Sequence, residues 1–461
     1  MPAHRFDPSI LRAYDIRGVV GETLTLDDAD ALGRAFGTIV REHDGTSVAL
    51  GYDGRLSSPE LAEALAGGLR ATGLKVLWIG RGPTPMLYFA VHHLGTDGGI
   101  QVTGSHNPPD HNGFKMMLGT HAFYGEDIQR IGDIAASGVF AEGEGALVQR
   151  AVHQDYVARI LRDCTTTRPL SVAWDAGNGA AGEVLSDLVA GLPGTHHLLN
   201  AEVDGTFPAH HPDPTVPENL AQLQAAVRAQ GCDLGVAFDG DGDRLGLVDA
   251  QGRILWGDQI LALLASEVLQ RQPGATVISD VKASQVLFDT IADLGGRPIM
   301  WKTGHSLIKA KMHEEQAPLA GEMSAHLFFA DSWYGFDDAL YAAVRVLNAL
   351  AARGGSLDDF KDALPEVVNT PEIRFPCEES RKFAVIEEVQ ARLAQNGTEV
   401  VAIDGVRVNT ADGWWLLRAS NTQDVLVARC EARDAAGLDR LKGLLCAELT
   451  ASGVALPDAF D

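Results

Sequence analysis

One pattern recurs three times along the chain and limits the folds open to it. VALGYDGR at 48–55, VAWDAGNG at 172–179 and VISDVKAS at 277–284 each join an apolar run to an aspartate and a loop of small residues. After each comes a helical stretch, then a second apolar run ending in a glycine-marked loop: QVTGSHN at 101–107, GVAFDGDGDR at 235–244 and LAGEMSAH at 319–326. Strands alternating with helices favour mostly parallel sheets covered on both faces. The repeat is too long and loose for a stacked solenoid, so it reads as three similar α/β domains. Sheets of this kind bind ligands at the carboxyl ends of their strands, where the second loops lie.

The first unit opens with the polar turn Tyr14-Asp15-Ile16-Arg17-Gly18, followed by a helix at 26–41, strands at 47–51 and 75–79, and a helix at 61–71. Beyond Pro365 the pattern changes to strands at 372–375, 399–403, 406–408, 414–418 and 424–431, with helices at 381–395 and 435–450. Short turns at Asp404-Gly405 and Asp412-Gly413 point to an antiparallel sheet with helices on one face. The expected fold class is α/β in four domains: three similar mixed-sheet α/β domains and a smaller C-terminal α+β domain. The boundaries expected are 1–150, 151–253, 254–365 and 366–461, which suits a chain of 461 residues.

The loops carry the chemistry. Gly104 lets the backbone turn sharply and present the Ser105 hydroxyl, with His106 and Asn107 beside it, and Lys115 returns a positive charge towards the same loop. A displayed hydroxyl with cationic help suits a serine that carries phosphate, although a plain polar turn has the same composition. An acyl-transfer elbow is a poorer match, because Thr103 and Asn107 stand where G-x-S-x-G needs glycine.

The most specific local signal is Asp239-Gly240-Asp241-Gly242-Asp243-Arg244. Carboxylates at alternate positions can fold around one hard cation, and an all-oxygen set suits magnesium. An EF-hand is excluded, since Arg244 takes its glycine position and Ala250 its twelfth. Arg244 can hold a phosphate or sugar oxygen next to the metal.

In Gly321-Glu322-Met323-Ser324-Ala325-His326, a carboxylate and a hydroxyl can take neighbouring sugar hydroxyls; a solvated loop is the plainer alternative. His305 is a candidate for proton transfer or a structural histidine. Arg418-Ala419-Ser420-Asn421-Thr422-Gln423 makes either a phosphate cradle or a polar hairpin tip.

With 62 acids against 37 bases the net charge is −25, which argues against nucleic-acid and acidic-membrane partners. An anionic small substrate stays compatible where Arg17, Lys115, Arg244, Lys282 and Arg418 converge. No signal-peptide core or membrane-length apolar run is present, and five scattered cysteines suggest neither a disulfide framework nor a zinc site. Cytoplasm is the expected compartment.

Taken in order, TGSHNP, DGDGDR, GEMSAH and RASNTQ resemble the signature loops of the α-D-phosphohexomutases, closest to the phosphomannomutase/phosphoglucomutase branch. The likeness spans the whole chain, one loop per domain. It implies a heart-shaped protein around a central cleft that moves phosphate between the 1- and 6-positions of mannose and glucose phosphates. It implies that Ser105 is phosphorylated at rest, and that Asp239, Asp241 and Asp243 hold Mg2+ together with a phosphoserine oxygen. Hexose 1,6-bisphosphate is the implied intermediate and activator, and hexose 1- and 6-phosphates are the implied partners of a monomer or weak dimer.

By the same resemblance Arg17 and Lys115 assist transfer, and Glu322 and Ser324 hold the 3- and 4-hydroxyls. Arg418, Ser420, Asn421 and Thr422 keep the non-reacting phosphate, with Tyr14, Arg244, Lys282 and His326 also binding substrate. Proton transfer lies with Lys115, His305 or His326. Two departures stand out: Ala325 replaces a common glycine, which implies a slightly different backbone in the sugar loop, and Asp424 replaces a common proline.

Overall fold

In the computed structural model, which describes residues 3–420 and 424–456, the three repeats build three sheets by one rule. The strand leading into the repeated aspartate runs parallel to the strand that carries the loop, and the loop turns back into an antiparallel partner. In the first sheet these are Ser47–Tyr52, Gly98–Val102 and His111–Leu118. In the second they are Leu170–Asp175, Leu234–Phe238 and Leu245–Asp249. In the third they are Thr276–Asp280, Leu319–Gly321 and Leu327–Phe329. The three loops are therefore hairpin tips at the carboxyl ends of inner strands. Those inner strands are buried along their whole length, which is why their sequences run apolar without alternation. The antiparallel returns make every one of these sheets mixed, where strand–helix alternation alone reads as mostly parallel.

Helices cover the sheets where local signals place them. Thr25 and Asp28 form a capping box at the start of Leu26–Glu42, whose buried face includes Ala29, Leu32, Phe36 and Ile39. The helix Ala339–Arg353 is buried from Ala339 through Leu350, as a helix apolar around most of its circumference must be. It shares one continuous core with the helix Thr84–Leu94 and with strand residues Trp174, Val236 and Val277. Because that core runs through the first three units, their hairpin tips hold fixed positions relative to one another. Among the described residues no helix is long and apolar enough to cross a membrane.

The C-terminal sheet is antiparallel throughout. Val368–Asn369 and Ile373–Pro376 pair in succession along one edge of Val425–Ala432, whose other edge pairs with Gly413–Ala419, followed by Val406–Asn409. Helices Glu379–Gln395 and Ala435–Ala451 pack on one face through Val385, Val389, Leu441 and Leu445. The other face sets Trp414 and Leu416 on Val281 of the third unit. Arg407 seals this join: fully buried, it donates to the carbonyls of Val281 at 2.7 Å and Ala283 at 2.8 Å, and lies 3.8 Å from the Trp414 ring centre.

One expected strand is missing. Within 399–403 only Val401 pairs, in an isolated bridge to Arg407. The turn expected at Asp404-Gly405 is present, with Gly405 at φ 90° and the Asp404 carboxylate accepting from Arg418 and from the Thr303 amide, each at 3.0 Å, but the ladder before it stops at the single pair Val401–Arg407.

Candidate active site

The four hairpin tips meet at a cleft of about 880 Å³. Its wall includes Tyr14, Arg17, Ser105, Lys115, Arg244, Lys282, His305, Glu322, Ser324, His326, Arg418 and Ser420. Local positive charge thus gathers on one face of an acidic chain. Asn421 and Thr422 lie outside the described residues.

Ser105 sits at φ 50°, a left-handed conformation that side chains other than glycine rarely adopt. Its amide donates to Thr103 Oγ1 at 2.9 Å, and its hydroxyl donates to Asp239 Oδ2 at 3.2 Å. The turn is held from beneath by Arg55, whose fully buried guanidinium donates to the carbonyls of Ser105 (2.8 Å), Asn107 (2.6 Å) and His111 (3.0 Å). A Cβ at Gly104 would meet Arg55 Nε at 2.4 Å, so glycine is required there to let the guanidinium reach the loop. Arg17 donates to Asn107 Oδ1 at 2.8 Å and pairs with Asp15.

Asp239, Asp241 and Asp243 are fully buried, with ligand oxygens within 4.8 Å of one another. Asp239 Oδ1 accepts from the amides of Asp243 (3.0 Å) and Arg244 (3.1 Å), which closes the tight turn. Lys115 does come back to this region, but its ammonium is directed at the metal loop and not at the serine: it donates to Asp241 Oδ2 at 2.7 Å and to Asp243 Oδ2. Oδ1 of Asp241 and Oδ1 of Asp243 have no hydrogen-bond partner. Buried carboxylates with orphaned oxygens fit a hard divalent cation.

The charges respond to this crowding. Burial, then the neighbouring charges of Asp243 and Asp241, push the Asp239 carboxyl well above the usual carboxylate range. Burial acts the same way on Asp241, but Lys115 and the Thr84 hydroxyl overturn it and hold that carboxyl below the usual range. Burial likewise opposes the charge on Lys115, and the three aspartates outweigh it and keep the lysine protonated.

The third tip faces the metal loop directly. Arg244 bridges to His326 in the backbone, and its Nε donates to His326 Nε2 at 3.1 Å. Glu322 is buried and accepts from the Gly304 amide at 2.7 Å, and burial raises its carboxyl above the ordinary value. Lys282 donates to Glu372 at 3.0 Å, which ties the third unit to the fourth. Ala325 keeps the left-handed backbone at φ 69°, so the loop does not relax on losing the common glycine; the alanine carries the strain. At the fourth tip Arg418 pairs with Asp404 at 3.0 Å, while the Ser420 amide donates to Val425 O at 3.0 Å. The Asp424 side chain is largely exposed and points within 3.9 Å of Lys382.

Sequence reasoning missed three residues of this site. Arg55 closes the first repeat, VALGYDGR, but a cation just after a turn has no local mark of burial. Arg429 lines the cleft and donates to Lys282 O; its one signal is that it and Glu431 are charges inside a mainly apolar strand. Asp337 lies 3.0 Å from His326 Nδ1 and 3.0 Å from Lys309 Nζ. Its signal was the pair Asp337-Asp338 opening a helix: Asp338 is the cap, accepting from the Tyr341 amide at 2.9 Å, and one cap needs only one carboxylate.

The comparisons with known proteins agree along the whole chain. It matches the phosphoglucomutase/phosphomannomutase family models for alpha/beta/alpha domain I over residues 8–142, domain II over 153–252, domain III over 256–368 and the C-terminal domain over 372–447. A phosphomannomutase/phosphoglucomutase of Pseudomonas aeruginosa is 45% identical over 452 residues, 98% of each chain. A phosphoglucomutase of Neisseria gonorrhoeae is 46% identical, covering 94% of this chain and 95% of that one. The crystal structure of a phosphoglucomutase/phosphomannomutase family protein from Burkholderia thailandensis superposes with a TM-score of 0.93 at 46% identity, covering 98% of this chain and 100% of that one.

The four domains and the cleft are those of the α-D-phosphohexomutases, enzymes of the isomerase class. Within that superfamily, the chain belongs to the phosphoglucomutase/phosphomannomutase family.

Proposed function

We propose that this hexose phosphate mutase moves phosphate between the 1- and 6-oxygens of mannose and glucose through a phosphoserine at Ser105 and a hexose 1,6-bisphosphate. The observation that carries this reading is the Ser105 hydroxyl, held on a strained turn 3.2 Å from Asp239 Oδ2, in a cleft also lined by Arg244, Lys282 and Arg418. In this reading residues 1–150 carry the phosphoserine, 151–253 the metal loop, 254–365 the sugar loop and 366–461 the phosphate loop.

The phosphoserine is the donor. Its P–Oγ bond breaks as a sugar hydroxyl attacks the phosphorus; the hydroxyl proton passes to a base in the cleft, and Ser105 Oγ takes up a proton as it leaves. Transfer of the other phosphate of the bisphosphate back to Ser105 reverses these bonds and completes the isomerisation. Phosphoryl transfer needs alignment and charge neutralisation more than covalent help from the protein. Arg17, held beside the loop through Asn107, and Arg244 supply fixed positive charge. Asp239, Asp241 and Asp243 would hold Mg2+, which supplies further charge neutralisation at the transferring phosphate.

The bisphosphate has to react from either end. Glu322 and Ser324 hold the 3- and 4-hydroxyls in both orientations, while Tyr14, Lys282, Arg418 and Ser420, with Asn421 and Thr422, retain the phosphate that is not reacting. Of the three proton-transfer candidates, Lys115 is kept charged by its aspartates. Burial, with Lys309 nearby, pushes the His305 imidazole well below its ordinary value and keeps it neutral. His326 is the candidate favoured here, since it lines the cleft and its Nδ1 is backed by the Asp337 carboxylate at 3.0 Å.

Phosphorus NMR tests the reading. With Mg2+ and a trace of hexose 1,6-bisphosphate, mannose 1-phosphate and glucose 1-phosphate are expected to give 6-phosphates, and Ser105→Ala to give none. Accumulation of free phosphate in place of 6-phosphate would make the protein a phosphatase and overturn the proposal.

A further inference from the structure

We propose that Asp337 is a positioning residue for the proton-transfer step: it holds His326 with the ring proton on Nδ1, so that the Nε2 lone pair is the one offered to the sugar. The inference rests on the proposed function, in which His326 moves that proton.

The neighbours of the ring fix its tautomer. Arg244 Nε always bears a hydrogen and donates it to His326 Nε2 at 3.1 Å, so Nε2 is an acceptor and the proton of the neutral ring sits on Nδ1. Nδ1 lies 3.0 Å from Asp337 Oδ2. The other carboxylate near it, Asp243 Oδ1, is 3.5 Å away and belongs to the oxygens suited to a hard cation. Neither Nδ1 nor Asp337 Oδ2 has another hydrogen-bond partner, although the two side chains are 5% and 0% exposed.

Asp337 is itself held in place. Its backbone bridges that of Phe328, two residues beyond His326, so carboxylate and imidazole share one frame. Its Oδ1 accepts at 3.0 Å from Lys309 Nζ, which also lies 4.6 Å from the centre of the buried Tyr88 ring. Burial opposes the charge on Asp337, but Lys309 and then the two histidines outweigh it and hold the carboxyl well below the usual range. A carboxylate kept ionised in this way orients the ring and steadies the imidazolium without taking the proton itself. His305 is the weaker claimant: its Nδ1 stands 3.8 Å from Asp337 Oδ2, and its ring stacks on that of His326 with centres 5.5 Å apart.

In the cleft as it stands Arg244 occupies the Nε2 lone pair, and the attacking sugar hydroxyl takes its place. Nε2 receives the hydroxyl proton as the phosphoserine is consumed, while the imidazolium keeps its first proton on Nδ1 against Asp337. Nε2 then returns the second proton to the sugar oxygen that gives its phosphate back to Ser105.

NMR of the full chain with isotope-labelled histidine tests the pairing without activity. An imidazole N–H donated to a carboxylate resonates far downfield, and such a proton is expected on His326 Nδ1 in the native protein and in His305→Gln. It is expected to be missing in His326→Gln and to move upfield in Asp337→Asn, with circular dichroism showing that each variant is folded. In mutase assays Asp337→Asn is expected to lower kcat about 100-fold with KM nearly unchanged. Added to His326→Gln, the same substitution is expected to change kcat by less than about 2-fold, because the ring it acts through is gone. A native protein without the downfield proton, or a proton that stays in Asp337→Asn, overturns the proposal. So does a further fall of about 100-fold in the double variant, which would make Asp337 act on its own. A native protein with no mutase turnover counts against the proposed function alone, and the resonance then decides whether the pair exists.

Discussion

Asp53 reaches across the first sheet to Gly104: its Oδ2 accepts from the Gly104 amide at 3.1 Å and, at 2.9 Å, from the neighbouring Thr103 hydroxyl. The aspartate of the first repeat therefore holds the loop that presents Ser105. Asp280 of the third repeat does the same for the sugar loop, accepting from the Met323 amide at 3.0 Å. Asp175 of the second steadies its own turn through Gly177 at 2.9 Å, and that turn donates from Ala180 to Gly240 O at 2.9 Å in the metal loop. One residue type at one position thus holds two of the tips directly and the third through its own turn.

Asp53→Ala removes buried acceptors from the Thr103 hydroxyl and the Gly104 amide. The expected outcome is a loss of about 2–3 kcal/mol in urea unfolding. Mutase turnover is expected to fall about 100-fold, because small displacements of a reacting group are enough for that. Unchanged turnover with lowered stability would mean that Ser105 keeps its place without Asp53.

Ala325→Gly replaces a side chain held at φ 69° by the one residue that adopts this conformation freely. A gain of about 1 kcal/mol in stability is expected, the relieved strain outweighing the added entropy of the unfolded chain. Denaturant midpoints of the two proteins decide it; a loss in the glycine variant would show that the turn carries no strain.

Lys115→Met leaves the buried carboxylates of Asp241 and Asp243 without their cation. Without added metal the expected cost is about 3–5 kcal/mol. Saturating Mg2+ is expected to recover more stability in the variant than in the native protein, because it replaces the missing charge. Melting curves with chelator and with Mg2+ check this, and equal Mg2+ effects on both proteins would separate the lysine from the metal loop.

His210 Nε2 lies 3.0 Å from Asp175 Oδ2, and this carboxylate raises the imidazole above its ordinary value despite its burial. A histidine raised on folding adds stability in full below its unfolded value of about 6.5, and that stability fades as pH climbs through the folded value. The stability difference between the native protein and His210→Gln is therefore expected to be larger at acid pH than at alkaline pH. A difference independent of pH would show that the pair does not titrate on folding.

The parts legible from the sequence are those written in neighbouring residues. Apolar runs ending in Asp-Gly or Thr-Gly mark strand ends and tight turns, and the aspartates at 239, 241 and 243 share a loop whatever surrounds it. The repeat likewise announces three α/β units, since each copy needs its own helices to bury its strands. The strand expected at 399–403 is reduced to the single pair Val401–Arg407, while the turn expected at Asp404-Gly405 is present and is tied to Thr303 across a separation of 101 residues, a contact no local pattern records.

The same limit governs the site. By itself the sequence determined the strand–loop grammar and the residue types gathered at each of the four tips, because backbone sterics and short-range patterning act within a few residues. Only the tertiary structure decided that Lys115 meets Asp241 across 126 residues, that Arg55 grips the Ser105 loop from below, and that Asp337 stands against His326. Those pairings exist because one continuous core sets the sheets against each other, and buried charges then find partners by proximity in space, which no local pattern records.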